Sequence, residues 1–207
     1  MSSNQLHHFY ASLAPWFALS LLFLGRNPHP SRLRSALSLL IAAGILLIPL
    51  EHFSLVRWIA LLESNPSITL TLLLAIALIA RVGGPRLFRS QDWRAAWLVG
   101  SMAALVLYPS ALGLSPFDSY IWGWGPLLAI ATAAITVVLL VIGNRFAYVL
   151  VLVLLGMIFH PMESTNDWDC LIDACYGIFS LIATILIVIS YKISTGHSGN
   201  ARRKALP

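Results

Sequence analysis

Residues 146–159 of this chain read FAYVLVLVLLGMIF, and residues 36–50 read ALSLLIAAGILLIPL. Neither stretch contains a charged side chain. The apolar residues form continuous runs instead of recurring every three or four positions on one helical face. Runs of this kind are typical of helices surrounded by lipid. The two stretches therefore predict helices inside a membrane.

The composition of the whole chain agrees with that interpretation. Of its 207 residues, 58% belong to the apolar set and only 10% are charged, whereas a soluble domain carries about 25% charged residues. A water-exposed globule with so few charges would lack the polar side chains that its surface needs. We therefore expect an all-α fold: a polytopic transmembrane helix bundle that residues 1–207 form as one domain.

Seven apolar segments predict about seven membrane spans. Their approximate ranges are 9–25, 34–50, 66–80, 95–113, 126–143, 145–160 and 170–191. Several of them lie near the lower limit of about 17 residues that an untilted helix needs to cross the hydrocarbon core. Residues 192–207 are expected to form a cytoplasmic tail.

The charged side chains predict which side of the membrane each loop faces. If the N-terminus lies outside, all but one of the 13 Lys and Arg residues fall on the cytoplasmic side, the exception being Arg57. All but one of the 8 Asp and Glu residues fall on the outer side, the exception being Asp92. Cytoplasmic loops of membrane proteins are enriched in Lys and Arg. Seven spans, with the N-terminus outside and the C-terminus in the cytoplasm, satisfy this rule.

Residues 51–63 are too short to cross a membrane. On a helix, Leu55, Trp58 and Ile59 share one face while Arg57 lies opposite. This pattern predicts a short interfacial helix on the outer surface, the alternative being an extension of the second span. The chain also carries four tryptophans that we expect at the outer interface of the bilayer: Trp58, Trp122, Trp124 and Trp168.

Small residues recur every four positions in the fourth predicted span, at Ala96, Gly100 and Ala104. Such a stripe lets two helix backbones approach closely. We expect it to pack against another helix of the same chain, the alternative being a seam between two copies of the chain.

A polar stripe begins at the outer end of the last predicted span. Taken as one α-helix, the segment places five polar residues within about 80° of one another. They are Asp169, Asp173, Tyr176, Ser180 and Thr184. We interpret them as candidates for a functional cleft. Two structural interpretations stay open. In the first, these side chains form hydrogen bonds between helices. In the second, Asn166 or Asp167 caps the span, and the acids are stabilised by the positive end of its helix dipole.

Other polar residues on the outer side are secondary candidates for the same site. They are Glu51, His52, His160, Glu163 and Asp167. None follows the close histidine spacing of a metalloprotease helix, so we predict no metal site and no cofactor. Cys170 and Cys175 are five positions apart, and a disulfide between them requires an irregular backbone, so the sequence leaves their state open.

The position of the charges also narrows the class of function. The central parts of the spans contain no Asp, Glu, Lys, Arg or His, which disfavours ion-coupled transport. Basic residues lie in short loops, as membrane topology requires, so nucleic acid is not an expected partner. A recognisable nucleophile elbow is also missing from the sequence.

We therefore predict a non-catalytic, multi-pass protein of a bacterial inner membrane. It would bind another membrane or periplasmic protein through its acidic, aromatic outer face, as an accessory subunit of an envelope complex or as an immunity-type protein. The alternatives are an outer-leaflet enzyme that acts on a lipid-linked substrate and a passive transporter of small solutes.

Overall fold

The structure, a computed structural model, describes the backbone of residues 3–25, 30–62, 66–159, 162 and 164–204, and the side chains of 9–25, 30–59, 66–159, 162 and 164–192. Helices account for 78% of the residues, which confirms an all-α fold. In chain order they are α1 (Ser3–Leu24), α2 (Arg32–Leu47), α3 (Leu55–Leu62), α4 (Ile68–Arg81), α5 (Ser90–Ala111), a 3₁₀ helix (Ser119–Trp124), α6 (Pro126–Val141), α7 (Phe146–Phe159), α8 (Asp167–Leu171) and α9 (Ala174–Lys204).

Each of the seven predicted spans coincides with one long helix, namely α1, α2, α4, α5, α6, α7 and α9. The largest difference is at the end of α9, which reaches Lys204 and not residue 191. Its start also differs, at Ala174 and not at residue 170, because Ile172 is extended, with φ −146° and ψ 139°. The predicted interfacial helix over 51–63 is only partly right. Residues 49–54 form a hairpin of β1 (Pro49–Leu50) and β2 (Phe53–Ser54), and α3 starts after it.

By length and composition, one helix in the described part of the chain can cross a membrane, through its segment Ala174–Lys192. Four other apolar helical segments are shorter: Phe9–Leu24, Ile68–Arg81, Pro126–Val141 and Phe146–Phe159. The number of spans therefore stays a prediction. Only 17% of the apolar window of α9 is buried inside the protein, so α9 is not the enclosed central helix of a globule.

Turns after α1, α4 and α6 meet at one end of the helices, which we call the basic end. The Arg81 guanidinium donates to the carbonyl oxygen of Gly25 at 2.7 Å, joining α4 to the turn after α1. The Arg89 guanidinium donates to the carbonyl oxygen of Gly143 at 3.0 Å, joining the segment before α5 to the turn after α6. Each cation lies beside carbonyl groups at a helix C-terminus, where the helix dipole favours positive charge.

The remaining connections meet at the opposite end, which we call the acidic end and which contains α3, the 3₁₀ helix and α8. The Tyr10 hydroxyl donates to the carbonyl oxygen of Pro66 at 2.9 Å, joining α1 to the start of α4. The Trp168 indole N–H donates to the carbonyl oxygen of Ser119 at 2.9 Å, joining α8 to the 3₁₀ helix. The seven long helices therefore alternate in direction between the two ends.

A buried carboxylate holds two helix N-termini together at the basic end. Asp92, in the first turn of α5, is fully buried. Its Oδ2 accepts from the backbone N–H of Arg89 at 2.7 Å, and its Oδ1 accepts from the backbone N–H of Arg145, just before α7, at 3.0 Å. The first N–H groups of a helix have no partner within it, and a negative charge beside them is favourable. Asp92 therefore provides a hydrogen-bond acceptor at the N-terminus of both α5 and α7.

The most extensive helix pair is α5 with α9, and Gly100 makes it possible. A Cβ at Gly100 would lie 2.7 Å from the ring carbon Cζ of Tyr176 and would also collide with the Ser180 hydroxyl. Ala96 and Ala104, on the same stripe, are buried. The predicted close packing of this stripe within the chain is confirmed.

We expect Gly100→Ala to lower the free energy of unfolding by about 1–3 kcal/mol, since the new methyl group overpacks the contact with α9. Thermal unfolding of the purified protein in detergent measures the change. Gly44→Ala is the matched control: nothing lies within 4 Å of a Cβ there, so its melting temperature should be unchanged or higher. Equal melting temperatures for the two variants would contradict the proposed packing.

Candidate functional site

The helix that was expected to carry all five polar candidates is interrupted between Asp169 and Asp173. Asp169 belongs to the short helix α8, and Asp173 precedes the first residue of α9. The backbone between the two helices is extended at Ile172. The prediction that the two aspartates share one helical face is therefore wrong, because it assumed continuous helical geometry across residues 169–174.

Asp173 is a buried cap that serves two helices. Its Oδ1 accepts from the backbone N–H of Tyr176 at 2.7 Å, within the first turn of α9. Its Oδ2 accepts from the backbone N–H of Ser67 at 2.7 Å, at the start of α4. Hydrogen bonds from N–H groups to a carboxylate are stronger than those to a neutral acceptor. The geometry favours the capping interpretation for Asp173, although Asp173 and not Asn166 or Asp167 is the residue that caps α9.

The rest of the polar stripe faces α5. The Tyr176 hydroxyl donates to the carbonyl oxygen of Ala96 at 2.6 Å. The hydroxyls of Thr184 and Ser101 are 2.8 Å apart and share a hydrogen bond. Ser180 is fully buried between these two contacts. Tyr176 and Thr184 are therefore placed as polar contacts between the two helices, which is a common use of polar side chains inside apolar bundles. In the described part of the chain, no hydrogen bond joins the Ser180 hydroxyl to α5.

Asn166 and Trp168 fix α8 to the 3₁₀ helix. Asn166 caps α8, since its Oδ1 accepts from the backbone N–H of Trp168 at 3.0 Å. Its side-chain amide also donates to the carbonyl oxygen of Tyr120 at 3.3 Å. Trp168 is only 2% exposed, which corrects the expectation that it lies at the membrane interface. A Cβ at Gly123 would collide with Asn166, so glycine is needed for this approach.

Asp167 and Asp169 remain partly accessible on α8. The pKa of the Tyr120 hydroxyl is raised, first by partial burial and then by the negative charge of Asp169. Asp169 therefore lies close to the aromatic side chains of the 3₁₀ helix, and this proximity was not evident from the sequence.

Four aromatic side chains are exposed beside these acids. The rings of Phe117 and Trp122 are stacked with centroids 6.2 Å apart, and those of Tyr120 and Trp124 meet edge to face at 6.4 Å. Together with the nearby acids they form a surface that we call the acidic aromatic face. Its members are Phe117, Asp118, Tyr120, Trp122, Trp124, Asp167 and Asp169.

Of the secondary candidates, Asp167 belongs to this face, whereas Glu51 and His52 lie elsewhere. Glu51 and His52 form the exposed tip of the β1–β2 hairpin, where Glu51 has a φ of 56°. The α3 segment that follows packs on α1 and α2, whereas α8 packs on α4, α6, α7 and the 3₁₀ helix. His160 and Glu163 lie outside the described residues. Within the described ranges, no three His, Cys, Asp or Glu side chains are arranged to hold a metal ion.

No disulfide joins Cys170 and Cys175. Cys170 is buried in α8, and burial, reinforced by the charges of Asp167 and Asp169, raises its pKa to about 12. Its thiol therefore stays protonated at neutral pH and is a poor nucleophile. Cys175 is exposed in the first turn of α9.

The sequence did not predict one cavity of this protein, because residues far apart in the chain form it. A cavity of about 810 Å³ lies between α1, α4, α5 and α9, and nearly all of its lining is apolar. We call it the apolar groove.

Comparison with known proteins provides no relationship: no family model, no curated protein and no solved structure matches the chain.

Asp173→Asn should lower the free energy of unfolding by about 1–3 kcal/mol, because an amide presents only one acceptor atom and leaves a buried N–H of Ser67 or Tyr176 unpaired. The amount of the variant in the membrane fraction should fall as well. Asp169→Asn, on the accessible side of α8, is the matched control and should retain normal stability. Thermal unfolding and immunoblots of membrane fractions measure both. An unaltered melting temperature for Asp173→Asn would refute the capping role.

Proposed function

We propose that this chain is a seven-span protein of a bacterial inner membrane that works by binding through its acidic aromatic face, without catalysing a reaction. The N-terminus and the acidic end would lie outside, and the C-terminus and the basic end in the cytoplasm. The observation that carries the binding proposal is the exposure of four aromatic rings beside accessible carboxylates.

The apolar character of the outward-facing helix surfaces supports insertion into a membrane. Large apolar side chains are strongly exposed on several of the long helices, for example Leu22 (72%), Val141 (82%) and Phe159 (75%). Each square ångström of apolar surface left in water costs about 25 cal/mol, and soluble monomers rarely expose such surface over wide areas. Lipid removes that cost.

The short helices can be accommodated in such a bundle. A helix of 14 residues, such as α4 or α7, is about 21 Å long, which is less than the ~30 Å of a typical hydrocarbon core. The bilayer can thin locally, and flanking residues can extend the apolar length.

The distribution of charge supports the orientation. Arg81 and Arg89 bind carbonyl groups at the basic end. Asp118, Asp167 and Asp169 lie at the acidic end. A cytoplasmic basic end satisfies the positive-inside rule.

Binding is favoured over catalysis because the buried carboxylates and two hydroxyl groups of the α9 stripe already have structural partners. Both oxygens of Asp92 and both oxygens of Asp173 accept backbone N–H groups. Tyr176 and Thr184 are used between helices. A general acid or base needs a position next to its substrate, and these buried groups do not offer one. An outer-leaflet enzyme that acts on a lipid-linked substrate thus has little support.

A passive transporter is also less well supported. A polar solute needs a continuous path of hydrogen-bonding groups across the hydrocarbon region. The apolar groove provides an apolar wall instead.

Exposed aromatic residues bordered by charge are common in binding surfaces, where a ring supplies a large contact area with little loss of conformational freedom. The acidic members would select a basic or neutral partner surface, since like charges repel. A second membrane protein or a periplasmic protein fits this face.

Reporter fusions test the topology. An enzyme that is active only outside the cytoplasm should be inactive after Gly83, active after Phe117, inactive after Gly143 and inactive after Pro207. Alternating activity is expected because successive connections lie at opposite ends of the helices. A protein anchored by α9 alone would give the same reporter activity after Gly83, Phe117 and Gly143. That result would contradict the seven-span proposal.

Substitutions in the acidic aromatic face test the binding proposal. Trp124→Ala and Asp169→Asn should each abolish complementation of a deletion strain while the protein accumulates in the membrane at its normal level. Both side chains are accessible, so their loss should weaken partner binding without unfolding the chain. Tyr148→Ala, an equally exposed aromatic position on α7, is the control and should complement fully. Full activity of both test variants would exclude this face.

A further inference from the structure

Two arginines at the basic end are hydrogen-bonded to each other's chain segments. The Arg145 guanidinium donates to the carbonyl oxygen of Leu87 at 2.7 Å, two residues before Arg89. The Arg89 guanidinium donates to the carbonyl oxygen of Gly143 at 3.0 Å, two residues before Arg145. These reciprocal bonds place both guanidinium groups where the segment before α5 meets the turn between α6 and α7. We call the two side chains the arginine pair.

The buried carboxylate beside the arginine pair does not neutralise it. Asp92 accepts the backbone N–H groups of both Arg89 and Arg145, and the Arg89 Nε is 3.6 Å from its Oδ2. Within the described ranges, no carboxylate forms an ion pair with the Arg145 guanidinium. One negative charge therefore faces two positive charges and the positive ends of two helix dipoles. Arg86 and Arg94, which are also exposed, add positive charge to the same segment.

The arginine pair has N–H groups left for a ligand. A guanidinium carries five N–H donors, and the hydrogen bond to a carbonyl oxygen uses one of them. The Arg89 side chain is 53% exposed, and Arg145 is exposed as well. Because the carbonyl bonds already fix both groups, they lose less conformational freedom when they bind an anion. Phosphate is the anion whose oxygens match the planar fork of a guanidinium.

Apolar side chains beside the arginine pair indicate that this phosphate belongs to a lipid. Leu87, whose carbonyl oxygen binds Arg145, is 38% exposed, and Ile142, next to Gly143, is 64% exposed. A small hydrated anion gains nothing from contact with them, whereas a phospholipid presents a phosphate and hydrocarbon together. In the proposed orientation the basic end lies at the cytoplasmic leaflet, where anionic lipids attract Lys and Arg.

We infer that the arginine pair binds the phosphate of one anionic phospholipid of the cytoplasmic leaflet, whose acyl chains contact the apolar surface around Leu87 and Ile142. This inference rests on the proposed membrane location and orientation. It adds a second binding site to the acidic aromatic face, which lies at the opposite end of the helices.

Native mass spectrometry of the delipidated protein in mild detergent tests the inference. Phosphatidylglycerol and phosphatidylcholine with identical acyl chains are added in turn. The wild type should bind one phosphatidylglycerol about tenfold more tightly than phosphatidylcholine, which has no net charge. Arg89→Gln and Arg145→Gln, made separately, should each lower this preference about fivefold, because each removes one charge beside the headgroup.

Arg32→Gln is the matched control, since it removes the same charge from another exposed position at the basic end. Arg32 is the first residue of α2, which packs on α1 and α3 and not on the segments that carry the arginine pair. The control should keep the preference of the wild type. The ratio of the two affinities also separates headgroup recognition from unfolding, because loss of folded protein lowers the binding of both lipids alike.

Four results would overturn the inference. They are equal affinity of the wild type for the two lipids, an unchanged preference in both variants of the pair, an equal loss in all three variants, and displacement of phosphatidylglycerol by an equal concentration of glycerol phosphate. The third would indicate diffuse attraction to the basic end, and the fourth a site for free anions. The first and fourth use the wild type alone, so they apply even if the variants do not fold.

The reporter fusions keep this inference separate from the proposed function. A reporter pattern that contradicts seven spans would reject the proposed topology. The expected reporter pattern together with any of the four results would reject the lipid site alone.

Discussion

Two buried carboxylates, Asp92 at the basic end and Asp173 at the acidic end, each accept backbone N–H groups at the starts of two helices. A helix begins with N–H groups that its own backbone cannot satisfy, and in an apolar bundle water does not replace the missing partners. One carboxylate shared between two N-termini provides acceptors for unpaired N–H groups of both helices. It also fixes the distance between the helices, so the arrangement of α4, α5, α7 and α9 depends on these two side chains.

The same requirement explains why the polar stripe of α9 does not form an open cleft. Hydrogen bonds stabilise hydroxyl groups inside an apolar bundle, and Tyr176 and Thr184 make theirs to α5. Gly100 leaves the space in which Tyr176 and Ser180 pack. Polar residues in the middle of the bundle therefore hold helices together. The groups available to a partner are the ones at the surface.

The acidic end combines rigidity with exposure. Trp168 and Asn166 are buried and attach α8 to the 3₁₀ helix, so the neighbouring rings of Trp122 and Trp124 are displayed on a fixed support. A preorganised surface loses less conformational entropy when it binds. The apolar groove is a separate feature, which lies between α1, α4, α5 and α9.

The sequence alone determined the helical class, the approximate positions of the long helices and the alternation of charge between connections, because each depends on the order of apolar and charged residues along the chain. It could not determine the break at Ile172, which separates Asp169 from Asp173, since a tertiary bond to Ser67 competes with continued helix there. Nor could it place Trp168 in the interior or reveal a groove built by four helices. Those features depend on which distant residues meet in the folded chain, and the order of residues does not show this.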